Sequence, residues 1–273
     1  MSAAKSQVRP AVVEEPVLVI GDIHHHTVEA ELVIARHSGR FRTVVFLGDY
    51  FDDFGDTPER MQSTCRWLKE SLQHPDRIHL LGNHDLSFLN PSNTQLGCPG
   101  WSVAKQHVFD RECSDVARDR LFLAVEVSAW VLSHAGFHHA LIGGLRPNEL
   151  VCAANDGLRK VLKGDHSPFV GCGYGRGGRD PFGGVTWLDW NTEFEPIAGL
   201  NQIVGHTPAP GLVRGQHLSS ALEQYRSEIR AASAHEFREL HPVPGDAWIS
   251  VNWCIDTQQA IAALIDGNDC QFV

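Results

Sequence analysis

Short apolar runs alternate with polar stops along this chain. Residues 17–20, 43–47, 78–81, 130–132 and 203–204 are rich in Val, Ile and Leu, and each run ends at a glycine or a polar residue. Apolar residues on consecutive positions, over so few residues, predict strands buried on both faces rather than amphipathic helices. Between the first three runs, 28–35 and 58–72 carry apolar residues at helical spacing, so a β-α-β-α-β unit with parallel strands is expected. In such sheets ligands collect beyond the carboxyl ends of the strands. The polar stops, far apart in sequence, are therefore expected to meet.

Those stops have distinctive chemistry. GDIH occupies 21–24, GDYFD 48–52, GNHD 82–85, SHAG 133–136, GHTP 205–208 and IDT 255–257. Carboxylates, imidazoles and one amide, without thiolate, form the mixed donor set that two borderline-hard divalent ions need. An isolated histidine after a strand is ordinarily a satisfied loop residue. Its recurrence after one strand after another reverses that expectation.

The order and wording of these motifs resemble the calcineurin-like metallophosphoesterase superfamily. GHTP followed by IDT is similar to its phosphoprotein phosphatase branch, which includes phage and bacterial phosphatases and diadenosine tetraphosphatases. The resemblance runs over the motif positions from about Val17 to Thr257 and implies an α/β fold, a two-sheet αββα sandwich. It implies Asp22 and His24 as terminal ligands of one ion, Asp49 as a bridge, and Asn83, His134 and His206 completing a second site. Two divalent ions follow, manganese first, with iron, zinc, magnesium or nickel as alternatives. The nucleophile implied is a metal-bound hydroxide, and His84, oriented by Asp52, is the implied proton donor to the leaving oxygen. Asp85, at the start of a helix, is expected to cap amides rather than touch substrate.

The chain also departs from that pattern. Where the phosphatase branch continues its second motif with Arg and Gly, this chain has Asp53, Phe54 and Gly55, and VTWLDW at 185–190 offers Asp189 where a further Arg is expected. A carboxylate in place of a bidentate cation is unfavourable beside a phosphate dianion. Either another cation substitutes or the substrate carries less charge. Arg176 and Arg179, in the glycine-dense GYGRGGRDPFGG, are the candidate substrate-binding fork. His25 stands where the family commonly has Gly and is expected to crowd the loop over the metals; His26 extends the tract.

Composition narrows the rest. With 273 residues and 42% hydrophobic content, one domain over 1–273 is expected. A helical insertion is expected at about 218–240, where Leu222, Tyr225, Ile229 and Ala232 fall near helical spacing, followed by closing strands at 248–251 and 260–265. Seven cysteines without CxxC pairing read as reduced packing residues. A formal charge of -10 disfavours nucleic-acid polymers and suits a small phosphorylated substrate or a phosphopeptide. No run is long enough to span a bilayer, so a soluble cytoplasmic protein without membrane contact is expected; the oligomeric state is left open. The function expected is a phosphomonoesterase. A phosphodiesterase or dinucleoside polyphosphate hydrolase is the alternative, and a non-catalytic protein-binding scaffold of the same fold is the second.

Overall fold

The computed structural model describes residues 13–52, 56–113, 115–116, 118–190, 192–195, 197, 199–207, 252–254 and 262–273. The expected insertion at 218–240, the strand at 248–251, IDT at 255–257, Pro208 and residues 53–55 lie outside the described residues.

Two sheets are stacked. In the first, β1 (Val17–Ile20), β2 (Thr43–Phe46), β3 (Arg77–Leu80) and β4 (Leu121–Phe122) run parallel, with Val19 opposite Val45 and Val45 opposite Ile78. The second holds β5 (Ala124–Val127), β6 (Trp130–Ser133), β7 (Asn201–Val204) and β8 (Asn252–Cys254), the last three mutually parallel. Chain then returns to the first sheet as β9 (Ala262–Asp266), antiparallel to β1, and β10 (Asp269–Phe272). The five sequence-derived strands and β9 are present to within two residues at either end.

The solid apolar runs have a simple cause. Val17, Val19, Val45, Leu47, Ile78 and Leu80 meet Val125, Val127, Trp130, Leu132 and Ile203 between the sheets. Leu18, Ile20, Val44 and Phe46, on the alternate positions, join Met61, Cys65 and Leu68 of the helix layer. A strand covered on both faces has no polar face to alternate with.

Helices α1 (Thr27–Arg36) and α2 (Pro58–Ser71) connect the first strands as expected, and Thr57 caps α2 by accepting from the Arg60 amide. α3 (Asn83–Leu89) follows β3 directly. Two further helices, α4 (Val103–Glu112) and α5 (Pro147–Val161), lie outside the sequence expectation. α5 covers the second sheet through Leu150, Ala154 and Leu158, a stripe at helical spacing. α4 has no such stripe, because Lys105 and Gln106 occupy its buried face beside Val108 and Phe109. The six cysteines whose side chains are described carry free thiols. Among the described residues, no helix is long and apolar enough to cross a membrane.

His79 shows what a histidine of the core looks like. It is fully buried on β3, with Nδ1 3.0 Å from the Tyr50 hydroxyl and Nε2 3.0 Å from Ser71 Oγ, and it stacks on Phe46. Burial pushes its pKa down to about 3, whereas an unfolded histidine titrates near 6.5. The native state thus excludes a proton that the unfolded chain takes up. Stability should be unaffected by His79 above pH 6.5 and fall below it, by roughly 4 kcal/mol on reaching the folded pKa. Urea unfolding of metal-free protein between pH 7 and 4 checks this: His79→Asn should have a visibly flatter pH dependence, and an unchanged slope would contradict it.

Candidate metal centre

The loops beyond β1, β2, β3, β6 and β7 converge, and their backbones are strained. His24, His25, Asp49, Asp52 and His206 adopt φ of +38°, +68°, +49°, +66° and +69°; Ser128 is the other non-glycine residue with positive φ among those described. Such conformations persist only where surrounding contacts impose them. Asp85 supplies several of those contacts. Its carboxylate accepts from Gly82 N at 2.9 Å, Asp49 N at 2.8 Å and Tyr50 N at 2.8 Å. It caps its own helix, as its position suggests, and also ties the second motif loop to the third. Gly82 permits the closeness, since any Cβ there would collide with the Asp49 carboxylate. Burial and neighbouring Asp49 push Asp85 up to about 7, against the pull of the amides.

Two sets of donor atoms form where these loops meet. Asp22, His24 and Asp49 make one, and Asp49, His134 and His206 the other, with the ligand atoms of each set within 4.8 Å of one another. His24 Nε2 lies 3.9 Å from Asp22 Oδ2 and 3.7 Å from Asp49 Oδ2. His134 Nε2 lies 3.3 Å from Asp49 Oδ2, 3.0 Å from Asn83 Oδ1 and 3.2 Å from His206 Nδ1. The six sequence-derived candidates are therefore brought together, and Asp49 belongs to both sets.

Main-chain carbonyls aim the rings. His134 Nδ1–H donates to Leu47 O at 3.0 Å, and His24 Nδ1–H donates to Asp52 O. Each bond leaves Nε2 facing Asp49, the arrangement in which an outer partner fixes the tautomer of a ligating imidazole. The Asn83 amide nitrogen donates to Cys98 Sγ at 3.3 Å, which turns Oδ1 toward His134. The Asp22 carboxylate accepts from His206 N at 3.0 Å.

A cation suits this point. With Nδ1 committed as a donor, a neutral His134 would present its Nε2 lone pair to the Asp49 and Asn83 oxygens, at 3.3 and 3.0 Å. The protein alone meets this with a proton: burial opposes charge on His134, but Asp49 and Asp22 outweigh it and push the pKa up to about 10. Burial likewise opposes charge on Asp49, yet His134, His84 and His24 hold it well below the usual carboxylate range. His206 goes the other way, driven well below its ordinary value by burial, His134 and Arg176, and its Nε2 is buried without a hydrogen-bond partner. This oxygen and nitrogen donor set, with lone pairs converging and a ring nitrogen left over, fits a divalent ion.

The remaining candidates surround this cluster. His84 N donates to Asp49 Oδ1 at 3.0 Å, and His84 Nδ1 lies 3.3 Å from Asp52 Oδ2. Its ring is a quarter exposed, edge-on to His24, while Asp52 is buried. Arg176 Nε lies 2.6 Å from Asp189 Oδ2, and Nη2 donates to Thr207 Oγ1 at 2.7 Å, beside His206. Asp189 is thus ion-paired with the nearest candidate fork. Arg179 is exposed on the same loop, and among the described residues its guanidinium makes no bond to the cluster.

One expectation is corrected. His25 does not crowd the loop over the metals: its buried ring points to Thr64 of α2, Nδ1 to Oγ1 at 2.8 Å, and to Asp56, Nε2 to Oδ2 at 3.0 Å. The left-handed backbone at His25 reverses the side chain. His26 precedes α1, 3.7 Å from Glu29. A residue that sequence reasoning missed is Lys105, whose ammonium contacts the Asp52 carboxylate.

The family model described as calcineurin-like phosphoesterase matches residues 15–210, a span that holds every residue of both donor sets. A crystal structure described as a candidate diadenosine tetraphosphatase aligns with 97% of this chain and 95% of its own at 16% identity, with a TM-score of 0.43. Among curated proteins, none matches.

The proton on His134 has a measurable consequence. A divalent ion taking its place must expel it, so binding to metal-free protein at pH 7.5 should release at least one proton, and affinity should weaken as pH falls. Calorimetry in two buffers of different ionisation enthalpy reads that number. Release should be lower by about one proton in His134→Ala; equal release by the two proteins would contradict the arrangement.

Proposed function

The chain belongs to the calcineurin-like phosphoesterase family, and from that premise we propose that it is a dinuclear, metal-dependent phosphatase acting on the monoester of a small phosphorylated molecule or phosphopeptide. The observation that carries this is the pair of donor sets sharing Asp49. In this reading Asp22 and His24 hold one ion, Asn83, His134 and His206 the other, and Asp49 both; manganese suits the donors. Two such ions, when bound, polarise the phosphoryl oxygens and acidify a water to make the nucleophile.

The protein's own groups do the rest. The Leu47 and Asp52 carbonyls keep His134 and His24 facing inward. His84 Nδ1–H bonds to Asp52, which leaves Nε2 for the leaving group. As the P–O bond breaks, its electron pair stays on the departing oxygen, and His84 Nε2 gives up its proton to that oxygen and becomes neutral. A scaffold that only binds other proteins has no physical reason to keep this pair beside the donor sets.

The Arg176–Asp189 ion pair favours a second reading. A guanidinium already offset by a carboxylate brings little net charge to a dianion, so a phosphodiester or a dinucleoside polyphosphate, with less charge at the reacting phosphorus, suits the pair better. Parallel assays on p-nitrophenyl phosphate, its bis-ester and diadenosine tetraphosphate with manganese separate the two. The monoester should show the highest kcat/KM, and Arg176→Ala should lower that value by roughly 10- to 100-fold, the worth of a charged hydrogen bond. Preference for the bis-ester or dinucleotide, with Arg176→Ala neutral, would establish the second reading. Chelation should abolish all activity, and His84→Asn should cost roughly 100- to 10,000-fold on a monoester with a poor leaving group; an active chelated enzyme would contradict both readings.

A further inference from the structure

A lysine is buried behind the histidine and aspartate just described. Lys105 is 8% exposed, and its Nζ contacts Asp52 Oδ1. It lies 3.0 Å and 3.1 Å from the two oxygens of Asp56. We propose that Lys105 is a positioning residue for the reaction: it fixes the Asp52 carboxylate so that Oδ2 faces His84 Nδ1, and so keeps the His84 ring aimed at the leaving oxygen. This rests on the reading of His84 as proton donor given above.

The two oxygens of Asp52 have separate partners, Lys105 on Oδ1 and His84 on Oδ2. A carboxylate bonded at one oxygen rotates broadly about its terminal torsion, whereas one bonded at both has its plane set. The 3.3 Å contact to His84 is the weaker of the two, so the lysine decides the plane. Lys105 is itself held. Asp56 accepts from it and faces His25 Nε2 at 3.0 Å, and His25 Nδ1 meets Thr64 on α2 at 2.8 Å. A continuous polar chain therefore runs from the His84 ring through Asp52, Lys105, Asp56 and His25 to a helix of the scaffold.

Local structure delivers the lysine. Ser102 caps α4 by accepting from Lys105 N at 3.3 Å. Just before it, Gly100 has φ +96° and passes so close to Asp52 that a Cβ would sit 3.1 Å from the carboxylate. Asp52 thus has one backbone pressed against it and one ammonium on it. A lysine that merely neutralised buried charge would serve all substrates equally; one that aims His84 matters where the leaving oxygen needs a proton.

A leaving-group series on the metal-loaded enzyme distinguishes these roles. Lys105→Met keeps length and removes charge. On phenyl or alkyl phosphates its kcat should fall by about 10- to 100-fold, the usual effect of losing an outer orienting partner, while p-nitrophenyl phosphate, whose leaving group needs little protonation, should change by less than about threefold. KM and bound metal should be unchanged, and Lys105→Arg should recover part of the loss. Equal losses on all substrates, or a drop in metal content, would overturn the proposal. Should Lys105→Met fail to fold, adding Asp56→Asn removes the unmatched negative charge and allows the same comparison. His84→Asn in the same series separates the failures: selectivity there but not in the lysine variant sinks only the role of Lys105, whereas no selectivity in His84→Asn removes the proton-donor reading and this proposal with it.

Discussion

The charge on one buried carboxylate organises this molecule. Asp49 is 2% exposed at the meeting point of separate loops, and an ion so placed costs several kcal/mol unless opposite charge and hydrogen bonds surround it. Asp22, Asp52 and Asp85 are buried around it. The protein answers them with amides and with a buried ammonium. Amides of Gly82, Asp49 and Tyr50 serve Asp85, Lys105 serves Asp52, and His206 N serves Asp22. For Asp49 the answer is a proton on His134 or an ion in its place.

Strain follows from the same convergence. Five loops must approach closely to assemble the cluster, and the left-handed conformations at His24, Asp49, Asp52 and His206 accompany that approach. Each such residue costs of order 1–3 kcal/mol. The sandwich core, where Val17, Val45, Leu132 and Ile203 interlock between the sheets, supplies the rigidity that holds them. Parallel β1, β2 and β3 end on one edge, so stable strands carry unstable loops, the usual division between scaffold and site.

The strands and motif loops were legible in the sequence because their signals are local: solid apolar runs, then Gly with Asp or His. Apart from α5, whose helical stripe is a local signal that was passed over, what was illegible is long-range or inverted. α4 hides because its buried face carries Lys105 and Gln106, the very polarity that serves Asp52. Nothing in the sequence links position 105 to 52, since a packed turn at Gly100 makes the connection. His25 misleads because a positive φ sends its ring toward α2. Asp189, a departure from the family pattern on paper, and Arg176, a candidate for the substrate fork, turn out to be one ion pair.

In the function proposed above, Asp49 stands between two ions. Electron paramagnetic resonance of the metal-free protein titrated with Mn(II) tests it most directly. Two ions per chain are expected, exchange-coupled at a separation of roughly 3.5 to 4 Å, with the coupling lost in Asp49→Ala. A saturated protein showing only isolated Mn(II), or a coupled pair that survives the loss of Asp49, would contradict it.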